Sequence, residues 1–481
     1  MEPMGPAGPE KRVAEAATPG GEGRLASVEA AREAILAAVG TPLAADVVPL
    51  ERALGRVAAT PIRAVTDLPP WDNSAMDGYA VRSGDVRGAG EDDPVRLPVV
   101  GEVAAGAQGT AVVEPGTAVR IATGAPVPPG ADAVVPVELT TPLDHDGRPL
   151  APRGSGSTAT LPAAVLVHQA VPAGGSIRRR GEDVARGDLL LEAGEPVTPA
   201  AIALLAGAGV ARVSVHRRPR VAVLVTGDEL RAPGEELGPA GIFDANGPAL
   251  RALVRQSGAI PLGLGIARDN EDAVVARLEE GIAVSDVVIV SGGVSVGPYD
   301  VVKAAFQRVG QVALWRVAIQ PGKPFAFGRA TAPDGHPVLL FGLPGNPVSV
   351  FVTFEVFVRP ALRALAGERL VVPPLDRGIL LDDVTKSRDR RAFLRVRAER
   401  GEDGAPRRDP AGRVLLRLAG GQGSHVLSAL ARADGLAVVP EGLARAEAGM
   451  EVGLWWLAAD LAGMVGGPEV SSEEGGEDGD G

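Results

Sequence analysis

The chain has no cysteine. Disulfide staples, zinc-thiolate sites, iron–sulfur clusters and cysteine nucleophiles are thereby excluded. Histidine is scarce, five residues in 481, and no spacing among them suggests a metal triad or a Ser-His pair. His425 beside Ser424 reads equally as a loop residue or a participant. Of the 48 basic residues only four are lysine and 44 are arginine, a bias of GC-rich coding that makes each lysine easy to notice. No window of 18 apolar residues is free of Gly, Pro and charge, so no membrane span is expected. The N-terminus lacks the apolar run of a signal peptide, and a cytoplasmic protein is expected. A net charge of −12 argues against a nucleic-acid partner. It leaves room for an anionic ligand, because a local arginine cluster can act against the global charge.

With 45% hydrophobic and 22% charged residues, the rest of the composition is that of a globular protein of two to four domains. Residues 1–24 and the acidic 466–481 have no periodic pattern and read as disordered tails. Ser27 caps a predicted helix carrying Val28, Ala31, Ile35, Leu36 and Val39 on one face, ending at Gly40. That helix falls in a helical linker region, 25–70 and 176–218, which also holds a helix at 198–207 opened by Thr198-Pro199. Residues 71–175 read as an inserted β module, with a loop insertion at 141–175. Over 219–367 apolar strands alternate with amphipathic helices, one of them capped by Asn246 and a long one over Pro347–Leu365. This rhythm indicates a doubly wound parallel sheet, an α/β fold. Short strands return at 372–461 and read as a small β-barrel.

Such a sheet binds ligands at the carboxyl ends of its strands. Three predicted strand ends carry Thr226-Gly227-Asp228-Glu229, Arg268-Asp269, and Ser291-Gly292-Gly293-Val294-Ser295-Val296-Gly297 leading to Asp300. The glycines let backbone N–H groups approach an anion, and the following helix adds its dipole. A plain tight turn explains the glycines about as well. Carboxylates beside a phosphate cradle call for a cation between them, and Mg²⁺ at Asp228 and Glu229 is the natural resolution. Taken singly, Asp269 and Asp300 also read as helix N-terminal charges. Leu343-Pro344-Gly345-Asn346-Pro347 reads as a capped helix start and equally as a ligand contact.

The run Leu68-Pro69-Pro70-Trp71-Asp72-Asn73-Ser74-Ala75-Met76-Asp77-Gly78-Tyr79 is a proline-flanked polar turn entering a strand. Its oxygen-rich cluster also suits a hard cation or the surroundings of an oxyanion. Arg178-Arg179-Arg180 before Gly181-Glu182-Asp183 reads as a solvated face or as a forked oxyanion site.

These runs, together with Arg120-Ile121-Ala122-Thr123-Gly124-Ala125-Pro126, resemble in sequence and order the signature of molybdopterin molybdenumtransferases of the MoeA and gephyrin E-domain type. The resemblance covers roughly residues 26 to 461. It implies an N-terminal region with an inserted β module, a central domain like that of molybdopterin adenylyltransferases, a C-terminal barrel and a homodimer. It further implies transfer of molybdenum from molybdate to adenylylated molybdopterin, with Mg²⁺ and release of AMP. Molybdopterin adenylyltransferase and apo-molybdoenzymes are the implied partners. By resemblance, Asp72, Thr123, Asp183, Glu229 and Asp300 are catalytic. Arg178, Asp228, Asp269, Ser291, Gly292, Gly293, Ser295, Arg316, Lys323, Pro344, Gly345, Asn346, Arg395 and Ser424 line the substrate site. This chain has Arg316 and Gln320 where many relatives have lysine, which shifts more of the anion-binding role to Lys323. A molybdopterin adenylyltransferase and a non-enzymatic scaffold of the gephyrin type are the rival readings.

Overall fold

A computed structural model describes residues 25–106, 110–155, 160–293 and 301–457, with backbone alone for 313–315. The two expected tails, Ser295 and Asp300 lie outside the described residues.

The central domain is built on six strands: β1 Arg220–Thr226, β2 Ile260–Ala267, β3 Val287–Ser291, β4 Gln311–Arg316, β5 Pro324–Thr331 and β6 Pro337–Leu343. Their order across the sheet is β2–β1–β3–β6–β5–β4. Alternation along β1 sends Val221 and Val223 to one apolar core and Ala222 and Leu224 to the other. Of the flanking helices, α1 (Val28–Val39), α2 (Asn246–Gln256) and α5 (Pro347–Thr353) cover the first face. α3 (Glu271–Val284) and α4 (Val301–Val309) cover the second. The chain leaves β1 for β2 on one side and returns over it to β3 on the other, so the topological switch point lies between β1 and β3.

The sheet is mixed rather than wholly parallel. β2, β1, β3, β6 and β4 all run in one direction, and β5 alone runs against them, antiparallel to β6 on one side and to β4 on the other. The reason is the short connection at 332–336: a parallel return needs a crossover of a dozen residues, and five permit only a hairpin. The expected single helix over 347–365 is continuous but passes through a π-turned stretch, Phe354–Val358. Pro360 explains it, because Pro has no N–H to donate and its ring would strike the carbonyl four residues back. Helix α1 also departs from expectation. It buries Val28, Ala31, Ile35 and Ala38 in the central core beside Val317, Ile319 and Phe357 rather than standing in the linker region.

Three antiparallel pairs, Ala45–Pro49 with Arg212–His216, Ile62–Arg63 with Leu189–Leu191, and Asn73–Ser74 with Ile177–Arg178, carry the chain out to the inserted module and back. The module is a six-stranded sheet. Gly78 is required there, since a Cβ would lie 2.1 Å from the Val135 carbonyl oxygen. The loop expected at 141–175 instead begins in one strand and contains another. Strands Thr140–Leu143 and Ala164–Val167 pair at the sheet edge and bury Leu143, Val165 and Val167. The polar stretch between them hides this pairing from a local reading.

At the C-terminus, Asp376–Leu380 (β7), Arg391–Ala398 (β8), Val414–Leu418 (β9), Gly435–Val439 (β10) and Glu451–Trp456 (β11) close a five-stranded barrel in the order β8–β9–β7–β11–β10–β8. Ile319–Gln320, from the β4–β5 connection, pairs with β8 and ties the barrel to the central sheet.

One clasp on the far edge of the central sheet titrates. His336 bridges the Ser285 carbonyl oxygen at 3.0 Å and Asp334 Oδ1 at 2.5 Å. The Ser285 carbonyl first, then Asp334, raises the imidazole above its ordinary value. A raised folded value makes the contribution complete below the unfolded pKa of about 6.5 and lost as pH rises through the folded value. His336→Gln is therefore expected to abolish a fall in stability that sets in as pH rises above about 6.5, read from urea midpoints. A parent curve that is flat or rising above that pH removes the clasp from consideration.

Candidate active site

The structure gathers the residues picked out by sequence into three groups. The first lies where the module joins its arm. Asp72 accepts from Arg179 Nη1 at 2.7 Å and from the Arg180 backbone N–H at 2.8 Å. The Arg180 N–H, then the Arg179 guanidinium, hold this carboxyl below its usual range. Arg178 sits in register with Asn73, and Asp183 donates its N–H to the Leu68 carbonyl. Thr123 donates from both its N–H, at 2.6 Å, and its hydroxyl, at 2.8 Å, to Asp77 Oδ1. Asp77 is thus a fixed anchor for Thr123, a role that its place beside Gly78 in sequence did not suggest. Arg178, Thr123 and Asp183 are exposed.

The second group sits at the switch point. The loops after β1 and β3 touch: a Cβ on Gly292 would lie 2.4 Å from the Thr226 carbonyl oxygen, and one on Gly293 2.6 Å from Val302 Cγ2. Both glycines have positive φ, 103° and 62°, so both conformation and space demand glycine. Asp228 Oδ1 accepts the Asp269 N–H at 3.2 Å. Partial burial, and then the charges of Asp228 and Glu229, raise the Asp269 carboxyl. Three carboxylates therefore crowd this rim. Among the described residues, however, no set of three or more His, Asp or Glu side chains is placed to hold a metal ion. Ser291 is fully buried, and the Pro344-Gly345-Asn346 loop follows the neighbouring strand β6.

Two expected caps are corrected. Asn346 occupies the N-cap position of α5, yet its side chain makes no capping bond; the Val348 N–H that it would accept is taken by the Ser424 carbonyl at 3.1 Å. At α2 the capping bond comes from Asp244 Oδ1 to the Gly247 N–H at 2.8 Å, and Asn246 points elsewhere. Beneath the cradle, Thr226 is buried, and its Oγ1 has no partner among the described residues. Thr226→Val keeps the shape and removes the orphan hydroxyl, so it should raise the unfolding free energy by about 1 kcal/mol. The check is a higher urea midpoint at constant m value; a lower midpoint would reveal a partner.

The third group belongs to the barrel. Arg395 on β8 is 1% exposed and donates from Nη2 to the Gly421 and Gly423 carbonyls, each at 3.1 Å. Its Nε has no partner among the described residues, and burial pushes the guanidinium down to about 10. Ser424, next in that loop, accepts the Val348 N–H at 3.1 Å, which joins the third group to the helix start of the second. Gln320 Oε1 accepts the Ser387 N–H at 2.8 Å, so its amide secures the barrel segment instead of awaiting an anion. Arg316 is exposed and Lys323 half-buried at the facing ends of β4 and β5. Among the described residues, no hydrogen bond or ion pair joins the first group to the other two.

The α/β sheet with a glycine cradle at its switch point, an arm-borne β module and a closed barrel define a three-part ligand-binding architecture. Residues 26–209 match the MoeA N-terminal region (domain I and II), 222–364 the probable molybdopterin binding domain, and 377–457 the MoeA C-terminal region (domain IV). Molybdopterin molybdenumtransferase 2 of Mycobacterium tuberculosis is 41% identical over 416 residues, 85% of this chain and 94% of its own. Molybdopterin molybdenumtransferase of Haemophilus influenzae is 35% identical over 89% of this chain and 98% of its own. The crystal structure of molybdopterin biosynthesis MoeA protein from Pyrococcus horikoshii superposes with a TM-score of 0.69 at 32% identity, over 91% of this chain and all of that one. The chain belongs to the molybdopterin molybdenumtransferase family, enzymes of the transferase class.

Proposed function

We propose that the enzyme transfers molybdenum from molybdate to adenylylated molybdopterin and releases AMP. The observation that carries this reading is the switch-point cradle, a carboxylate rim on one side and a buried cation without a carboxylate on the other. Backbone N–H groups of Gly293 and Gly345 receive the phosphates, and Ser291 and Pro344 shape the floor. Arg395 and Ser424, with Arg316 and Lys323, draw the molybdate dianion. Asp72, Thr123, Arg178 and Asp183 form the module's share of the site. The absence of cysteine fits, because the dithiolene of the substrate supplies the sulfurs.

Mg²⁺ fits the rim through Asp228 and Glu229 with Asp269 behind them, since this ion commonly takes one or two carboxylates and completes its shell with phosphate oxygens and water. When bound it neutralises charge on the pyrophosphate link. Glu229→Gln is expected to raise the Mg²⁺ concentration for half-maximal turnover about tenfold. An unchanged Mg²⁺ dependence removes Glu229 from this role.

The test of the whole reading is AMP release by purified protein given adenylylated molybdopterin, Mg²⁺ and molybdate. Release that ignores molybdate, or none, overturns it. Homodimerisation, a cytoplasmic location, and exchange with molybdopterin adenylyltransferase and apo-molybdoenzymes complete the proposal. Light scattering that returns a mass of 48.9 kDa rather than twice that would remove the dimer. No helix among the described residues is long and apolar enough to cross a membrane.

A further inference from the structure

Asn246 opens helix α2, yet its side chain takes no part in starting that helix. Asp244 caps the Gly247 N–H. The Asn246 amide turns instead into the space between two loops that belong to other strands. Its Nδ2 donates to the Gly345 carbonyl at 2.7 Å and to Ser291 Oγ at 3.0 Å. Ser291 in turn donates from Oγ to the Pro344 carbonyl at 3.3 Å. One buried nitrogen therefore joins the Ser291-Gly292-Gly293 loop after β3 to the Pro344-Gly345-Asn346 loop after β6. The loops lie close enough that a Cβ on Gly345 would sit 3.9 Å from the Gly292 Cα.

We infer that Asn246 is a positioning residue, whose amide sets the separation of the two glycine loops and hence the placement of the N–H groups that receive the ligand's phosphate. This rests on the reaction proposed above. The chemistry demands this side chain. Two acceptors, a carbonyl and a hydroxyl, need two N–H bonds on one nitrogen at this distance. Aspartate has the same shape but would turn lone pairs toward the Gly345 carbonyl, a buried repulsion in place of a hydrogen bond. Serine offers a single donor. Strand packing alone brings the loops near each other, since β3 and β6 are neighbours. It carries one bond past β3, from the Gly292 N–H to the Leu343 carbonyl at 3.3 Å, and does not fix Gly293, Pro344 and Gly345 beyond it.

The experiment compares the parent with Asn246→Asp, Asn246→Ser and Ser291→Ala. AMP serves as the probe in calorimetry, and turnover is followed with adenylylated molybdopterin. Because Asp244 still caps α2, the variants should fold, which circular dichroism verifies. Loss of both bonds in Asn246→Asp is expected to raise the Kd for AMP and the KM for adenylylated molybdopterin about tenfold, with kcat within about twofold of the parent. Asn246→Ser, which keeps one donor, should fall between. Combining Asn246→Ser with Ser291→Ala should cost less than the sum of the two, because both act on the same link. Parent-like AMP affinity and KM in both folded Asn246 variants, or full additivity with Ser291→Ala, overturns the positioning role alone. Should Asn246→Asp fail to fold, Asn246→Ser decides the matter by the same readouts. A parent that neither binds nor releases AMP overturns the proposed reaction, and the inference with it.

Discussion

Asp72→Asn is expected to lower AMP release by about 10²–10³-fold, the range for removing one preorganised electrostatic group from an active site, while leaving the thermal transition in place. The argument rests on where the carboxylate is spent. Asp72 faces Arg179 Nη1 and the Arg180 N–H with its side chain partly exposed. It orients the arginine run at the mouth of the module. Asparagine keeps an acceptor for the Arg180 N–H but gives up the charge that holds Arg179. Folding should be spared, because the pair is more than a third exposed on both sides and such pairs add little stability. The carboxyl is held below its usual range, so it stays ionised through the neutral region and the defect should be the same at pH 6 and pH 8. A variant that unfolds, or one with parental turnover, ends this assignment.

Arg395→Met should raise the half-saturating molybdate concentration about 10- to 100-fold, as expected when charge-assisted contacts of about 1.5–3 kcal/mol are removed. A buried guanidinium whose described partners are two carbonyls is expensive to keep charged. Its Nε lacks a partner among the described residues and its pKa is driven down by burial, so the site favours an anion that would settle beside it. Methionine is close in volume and removes both charge and fork. Arg395→Lys keeps the charge but cannot span Gly421 and Gly423, and should recover only part of the loss. Molybdate dependence in Arg395→Met equal to that of the parent would assign the guanidinium to loop structure alone.

Local sequence determined the elements whose causes are local. Ser27 and Gly40 bound α1, Thr198-Pro199 opens its helix, and the alternating valines of β1 announce a strand buried on both faces. The motif loops could be placed at strand ends for the same reason, since a glycine run between an apolar strand and a helical period leaves few alternatives. Long-range contact decided the rest. Sequence could not show that β5 runs against its neighbours, nor that 164–167 joins the module's sheet between two other strands, because pairing energy depends on a partner far along the chain. The same holds for side-chain duty. Asn246 and Asn346 both look like helix caps in sequence. Tertiary structure passed the first duty to Asp244, turned Asn246 into a link between loops, and gave Gln320 to the barrel, because a polar side chain bonds to whatever acceptor or donor the fold brings within about 3 Å.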